Sequence, residues 1–63
     1  MTHSEWEKEV KKALIDRGES QREMADTLGL SRVYVCSVIN GTIRTRRAAE
    51  LISQHCGIEV YEM

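Results

Sequence analysis

Apolar residues recur at helical spacing in four stretches of the chain, and polar residues and glycines separate these stretches. The first stretch has an apolar residue at every fourth position: Trp6, Val10 and Leu14. This period predicts a helix with one buried stripe. Ser4 followed three residues later by Glu7 is a capping box, so we expect this helix to begin there and to end at Gly18.

The second and third stretches predict two short helices joined by a tight turn. Ser20 with Glu23 forms another capping box and opens a helix that runs to Leu28, and Gly29 provides the left-handed turn residue. Ser31 can cap a third helix that ends near residue 39. The predicted buried residues of these two helices are Met24, Ala25, Leu28, Val35, Val38 and Ile39.

The fourth stretch predicts a last helix and an ambiguous tail. Ile43 is the expected core anchor of the preceding loop, Thr45 can cap the helix, and Gly57 ends it. Its predicted apolar stripe consists of Ala48, Leu51 and Ile52. The tail, residues 58–63, is consistent with a strand that pairs two copies or with an extended segment packed over the fourth helix. The chain therefore predicts one all-α domain, residues 1–63.

Size and composition favour a binding module over an enzyme. At 63 residues the chain is too short to enclose a deep pocket, and no motif for nucleophilic catalysis or phosphate-cofactor binding is present. We therefore expect no cofactor. His3, in a terminus expected to fray, and His55 have no partner at metal-ligand spacing, so we expect no metal site.

The cysteines and the hydropathy pattern predict a cytoplasmic location. Cys36 and Cys56 are too few for a disulfide framework and are expected to be free thiols in a reducing compartment. No apolar run approaches the length of a membrane span, and residues 1–12 lack the apolar centre of a signal peptide.

Charge is distributed unevenly along a chain whose net charge is only −1. No acidic residue occurs between Asp26 and Glu50. Four arginines lie in that interval: Arg32, Arg44, Arg46 and Arg47. A locally basic surface on a nearly neutral chain is compatible with docking on DNA phosphates.

The outer face of the third helix is unusual for a solvated surface. It carries Val33, Cys36, Ser37 and Asn40, with Arg32 in the first turn. Apolar atoms can contact thymine methyl groups, and arginine can bind guanine O6 and N7. The spacing of residues 21–40 therefore predicts a helix-turn-helix that reads the DNA major groove with a recognition helix at about 32–39. In an alternative interpretation, Val33 and Cys36 pack under the tail or in a dimer contact.

The segment QREMADTLGLSRVYVCSVING resembles the helix-turn-helix of the lambda-repressor/Cro-type (XRE) family of phage and bacterial regulators. The matching positions are Gln21, Ala25, Gly29, Val35, Val38 and Asn40-Gly41. The resemblance covers about residues 6–58. It implies a lambda-repressor-like DNA-binding domain of four to five short helices, and binding to a double-stranded DNA operator, commonly as a homodimer.

The resemblance also implies roles for individual residues. Gln21 would contact a phosphate or support a base-reading side chain. Base edges would be contacted by Arg32, Val33, Cys36 and Ser37, and the DNA backbone by Tyr34, Asn40, Thr42 and Arg44. With the capping Ser31 added, the predicted DNA-binding set is Gln21, Ser31, Arg32, Val33, Tyr34, Cys36, Ser37, Asn40, Thr42 and Arg44.

The chain departs from the family pattern in being slightly acidic and short, and in having no evident C-terminal oligomerisation or sensing domain. A small Cro-like or stand-alone regulator fits these features better than a two-domain repressor. The alternative function is a protein-interaction module on the same fold, an antirepressor or accessory factor. The near-neutral charge and the apolar outer face of Val33, Tyr34 and Cys36 motivate it.

Overall fold

The computed structural model describes residues 1–62, which contain four helices and no strand. The helices are α1 (His3–Arg17), α2 (Gln21–Leu28), α3 (Arg32–Asn40) and α4 (Arg46–Cys56). They pack into a globule measuring 25 × 22 × 16 Å. The predicted all-α class is confirmed. Met63, the last residue of the predicted tail, lies outside the described part of the chain.

Helix α1 begins earlier than predicted, and the Ser4–Glu7 capping box is wrong. The cap is Thr2, whose Oγ1 accepts a hydrogen bond from the Glu5 amide at 3.2 Å. The Glu5 carboxylate accepts one from the Thr2 amide at 2.9 Å. Hydrogen bonding of the Glu5 carboxylate, first to the Thr2 backbone amide and second to the Thr2 side chain, holds the pKa of Glu5 below its usual value. Glu7 instead accepts a hydrogen bond from Lys11, one turn further along the helix.

The predicted boundaries of α2 and α3 are confirmed by their caps. Ser20 and Glu23 form a reciprocal capping box, and the Ser31 hydroxyl accepts a hydrogen bond from the Tyr34 amide. Gly29 ends α2 with a φ of +71°, in the left-handed region that glycine occupies without steric cost. Thr45 is the N-cap of α4 as predicted, but its side chain makes no capping hydrogen bond.

All four helices contribute to one hydrophobic core. Its buried members are Trp6, Val10, Leu14, Met24, Ala25, Val35, Val38, Ile39, Ala48, Ala49, Ile52, Cys56 and Tyr61. Leu28 and Ile43 are partly buried and pack against it. The predicted buried face of α4 is wrong in part, because Leu51 is partly exposed and Ala49 is fully buried. The buried face of α4 is therefore centred on Ala49, Ile52 and Cys56. Compared with the predicted stripe, it is rotated about the helix axis away from Leu51.

The two ends of the described chain meet on an aromatic cluster. The buried Tyr61 ring lies 4.7 Å from the His3 ring and 5.0 Å from the Trp6 ring, measured between centroids. The Glu62 amide donates to the Met1 carbonyl at 3.1 Å. The expectation that His3 frays is wrong, because its ring packs on Trp6 and Tyr61. Residues 58–62 form no strand and have no regular secondary structure, and the end of this tail packs on the start of α1 through Tyr61.

Candidate nucleic-acid interface

Helix α3 is buried on one side and open on the other. Val35, Val38 and Ile39 are at most 1% exposed and pack in the core. On the opposite side, Arg32, Val33 and Asn40 are exposed, and Cys36 and Ser37 are partly buried. Val33 is 76% exposed, which is high for a valine in the middle of a structured domain. The predicted division of α3 into a core side and an outer side is confirmed.

A tight connection holds α3 against α2. The Leu30 amide donates to the Ala25 carbonyl at 2.9 Å, and the Gly29 amide donates to the Asp26 carbonyl at 3.2 Å. Ala25 is 1% exposed. Its side chain is a single methyl group, which suits a position this closely surrounded. With α2 held in this position, Arg32, Val33 and Asn40 on the outer side of α3 remain exposed.

Gln21 and Cys36 are the two predicted DNA-binding residues whose side chains contact each other. The Cys36 thiol donates a hydrogen bond to Gln21 Oε1, with 3.0 Å between the sulfur and the oxygen. The bond joins the first residue of α2 to the middle of α3. Gln21 also lines a shallow depression with Lys11, Leu14, Ile15 and Glu19.

The predicted residues at the end of α3 form a hydrogen-bonded loop. Asn40 Oδ1 accepts from the Thr42 amide at 3.0 Å, and Arg44 Nε donates to the Gly41 carbonyl at 3.5 Å. The Ile43 amide donates to the Ser37 carbonyl at 3.1 Å. Asn40, Thr42 and Arg44 are thereby held together at one end of the outer side of α3, with all three side chains exposed.

Ser31 and Tyr34 lie at the other end of α3 and have structural contacts of their own. The Ser31 hydroxyl caps the helix. Tyr34 is partly buried and packs against the core, as the sequence allowed. Both are therefore engaged in the fold, while the adjacent Arg32 and Val33 side chains are exposed.

The arginines of the acid-free interval differ in their surroundings. Arg46 Nε lies 2.8 Å from the Glu50 carboxylate, so part of its charge is neutralised locally. Within residues 1–62, no carboxylate lies within 4.0 Å of Arg32, Arg44 or Arg47. These three exposed guanidinium groups have their charge available for a ligand.

Arg22 was absent from the predicted set and shares the properties of these arginines. It is exposed in the first turn of α2, beside Gln21, and forms no ion pair with another described residue. A count of cations near the start of α2 would have found it. Arg22 lies outside the acid-free interval, which begins only after Asp26, because Glu23 and Asp26 follow it on the same helix.

The remaining chemistry-bearing side chains contribute to the fold. His55 Nε2 lies 2.7 Å from Glu19 Oε1, which links the end of α4 to the α1–α2 connection. Cys36 and Cys56 are free thiols, as predicted. Burial raises the pKa of the Cys56 thiol. Across residues 1–62, no group of three His, Cys, Asp or Glu side chains is arranged to hold a metal ion.

Two further findings bear on the kind of protein this is. No helix in the described part of the chain is both long enough and apolar enough to cross a membrane. Comparisons with protein-family models, with characterised proteins and with solved structures find no match to the chain.

Proposed function

We propose that this protein is a sequence-specific, double-stranded-DNA-binding transcriptional regulator with a lambda-repressor-like fold of the Cro type. Helices α2 and α3 would form its helix-turn-helix, and α3 would be the recognition helix in the major groove. The observation that carries the proposal is the outer side of α3, which exposes Arg32, Val33 and Asn40, has no acidic residue and is backed by a buried inner side.

Arg32 and Val33 are the side chains best suited to read bases. Both are exposed at the N-terminal end of α3, the end that a helix-turn-helix inserts most deeply into the groove. The Arg32 guanidinium has the paired donors that match guanine O6 and N7. Val33 offers methyl groups to a thymine methyl, and its exposure would then be relieved on binding.

Phosphate contacts would come from both ends of the α2–α3 pair. Thr42, Arg44 and Arg47 follow α3, and Arg22 lies at the start of α2. Such contacts set the register of a protein on DNA without reading its sequence, and they make affinity depend on salt. The net charge of −1 is compatible with this role because the interval between Asp26 and Glu50 carries four arginines and no acidic residue.

A homodimer on DNA suits the size of the domain. Two recognition helices of such dimers lie roughly 34 Å apart, one turn of DNA. Two copies of a globule 25 Å in its longest dimension can span that distance. The proposed operator is therefore a pseudo-palindrome, and the proposed setting is the cytoplasm, with no catalysis, cofactor or metal involved.

The test is selection of binding sites from a random duplex library, followed by titration of the enriched site at two salt concentrations. Arg32→Ala should weaken binding by about 1–3 kcal/mol and relax the preference at one base pair. Arg44→Ala should weaken binding to all sequences and reduce the salt slope by about one unit. Lys12→Ala is the matched control, because it removes one exposed charge from α1. If folded protein enriches no sequence, the proposal is wrong.

The second candidate is a protein-interaction module, an antirepressor or accessory factor that uses the outer side of α3. The exposure of Val33 at 76% favours it, since exposed apolar groups mark interfaces in general. Salt separates the two functions, because phosphate contacts weaken steeply with added salt and an apolar protein interface does not. A complex that persists in high salt and ignores DNA would support this second function.

A further inference from the structure

We propose that Cys36 is a positioning residue that holds the Gln21 carboxamide ready for DNA, and that it does not read a base itself. The inference rests on the DNA-binding function proposed above. The position of Cys36 on the outer side of α3 led us to expect that it contacts base edges. Here it is assigned a positioning role instead.

The thiol is already committed to an intramolecular hydrogen bond. Cys36 has one hydrogen on sulfur, and that hydrogen is directed to Gln21 Oε1 across 3.0 Å. A thiol sulfur is only a weak acceptor, so little hydrogen-bonding capacity remains for a base. Both side chains are partly buried where α2 and α3 meet, and this shields their bond from competing water.

The same bond orients the other half of the Gln21 side chain. A carboxamide is planar, with its oxygen and its NH₂ group on opposite edges, so fixing Oε1 also fixes the direction of Nε2. No described residue accepts a hydrogen bond from Nε2. These two donors are therefore available to a phosphate oxygen of the DNA at the start of α2.

Preorganisation is the physical benefit of this arrangement. A free glutamine side chain has several rotatable bonds, and ordering it on binding costs conformational entropy. The Cys36 thiol removes part of that cost before DNA arrives, because Gln21 is already held in one conformation. Cys36 should thus affect affinity through Gln21 and leave the base preference unchanged.

A double-mutant cycle tests this mechanism on the full chain. Cys36→Ala removes the donor and should weaken binding to the selected site by about two- to five-fold, the lower part of the range for a neutral hydrogen bond. Cys36→Ser supplies a hydroxyl donor and should restore affinity to within about two-fold of the original protein. In a Gln21→Ala background, Cys36→Ala should have no further effect, because the residue it positions is gone.

Circular dichroism and thermal unfolding establish that each variant is folded. A change of base preference in Cys36→Ala would overturn the proposal, and so would an equal loss of affinity with and without Gln21. Either result would mean that Cys36 contacts the DNA directly.

A measurement without DNA separates this inference from the proposed function. NMR relaxation of the Gln21 side-chain NH₂ group should show increased fast motion in Cys36→Ala and the original order in Cys36→Ser. An equally ordered amide in Cys36→Ala would overturn the positioning role, whatever the DNA result. If Cys36→Ala does release the amide but the original protein selects no DNA sequence, the proposed function fails, and with it the role of this bond in DNA binding.

Discussion

The hydrogen bond between Trp6 and Ser53 connects α1 to α4 inside the core, and its removal should destabilise the whole domain. Trp6 Nε1 donates to Ser53 Oγ at 2.8 Å, across 47 residues of sequence. Trp6 is 0% exposed and Ser53 is 2% exposed. Ser53→Ala would leave the indole N–H in the core without an acceptor, with no route to water.

The size of the effect follows from this burial. A buried donor left without a partner costs about 1–3 kcal/mol. Alanine recovers up to roughly 0.5 kcal/mol through its higher helix propensity. The expected net loss is therefore about 1–2 kcal/mol. For a domain whose total stability is of order 3–9 kcal/mol, this corresponds to a melting temperature lower by roughly 5–15 °C.

Urea unfolding, followed by tryptophan fluorescence and by circular dichroism, measures the loss. Trp6 is the single tryptophan, so its fluorescence reports on this contact directly. Ser4→Ala is the matched control, because Ser4 is an exposed serine in α1. If Ser53→Ala unfolds within about 0.5 kcal/mol of Ser4→Ala, the hydrogen bond does not contribute as reasoned, since surface substitutions fall in that range.

Two more predictions concern the turns and the buried thiol. Gly29→Ala should cost about 1–2 kcal/mol, because its φ of +71° strains a side chain but no atom lies within 4 Å of the added Cβ. Gly41→Ala, with a φ of +89°, should cost more, because its Cβ would lie 2.9 Å from Cε1 of the His3 ring. Equal losses in urea unfolding would contradict this reasoning, and His3→Ala should remove the difference. Cys56 should react with a thiol reagent more slowly than the other cysteine at neutral pH, because burial both raises its pKa and blocks access. Ellman's reagent measures both rates, and two equal rates in the folded protein would refute this.

Local sequence signals predicted α2 and α3 almost completely. Ser20 with Glu23, Gly29 and Ser31 each act within three or four residues, through hydrogen bonds or a backbone conformation that distant contacts do not alter. Helical periodicity likewise identified the buried and outer sides of α3, because a residue's direction on a helix follows from its position alone.

The errors occurred where two local signals were equally good. Thr2 with Glu5 and Ser4 with Glu7 both match a capping box, and α1 begins at the former. The earlier start places His3 in the helix, where its ring contacts Trp6 and Tyr61. That contact involves the far end of the chain, so the first residues of α1 do not contain the information that selects between the two caps.

A similar reason explains the face of α4. Ala48, Ala49, Leu51 and Ile52 are all apolar, and several stripes can be drawn through them. Which stripe is buried depends on where α1, α2 and α3 leave space, and the fold buries Ala49 while leaving Leu51 partly exposed.

For the candidate interface, helical periodicity was enough to predict which residues lie on the outer side of α3, and the four arginines between Asp26 and Glu50 are visible in the sequence directly. The packing of α2 against α3 brings the Cys36 thiol to Gln21, an interaction between residues 15 positions apart that neither helix predicts alone. In α2 and α3, the caps and the directions of the side chains depend on bonds and rotations within a few residues. Contacts between helices depend on how the apolar stripes pack together, a property of the whole core that no single segment contains.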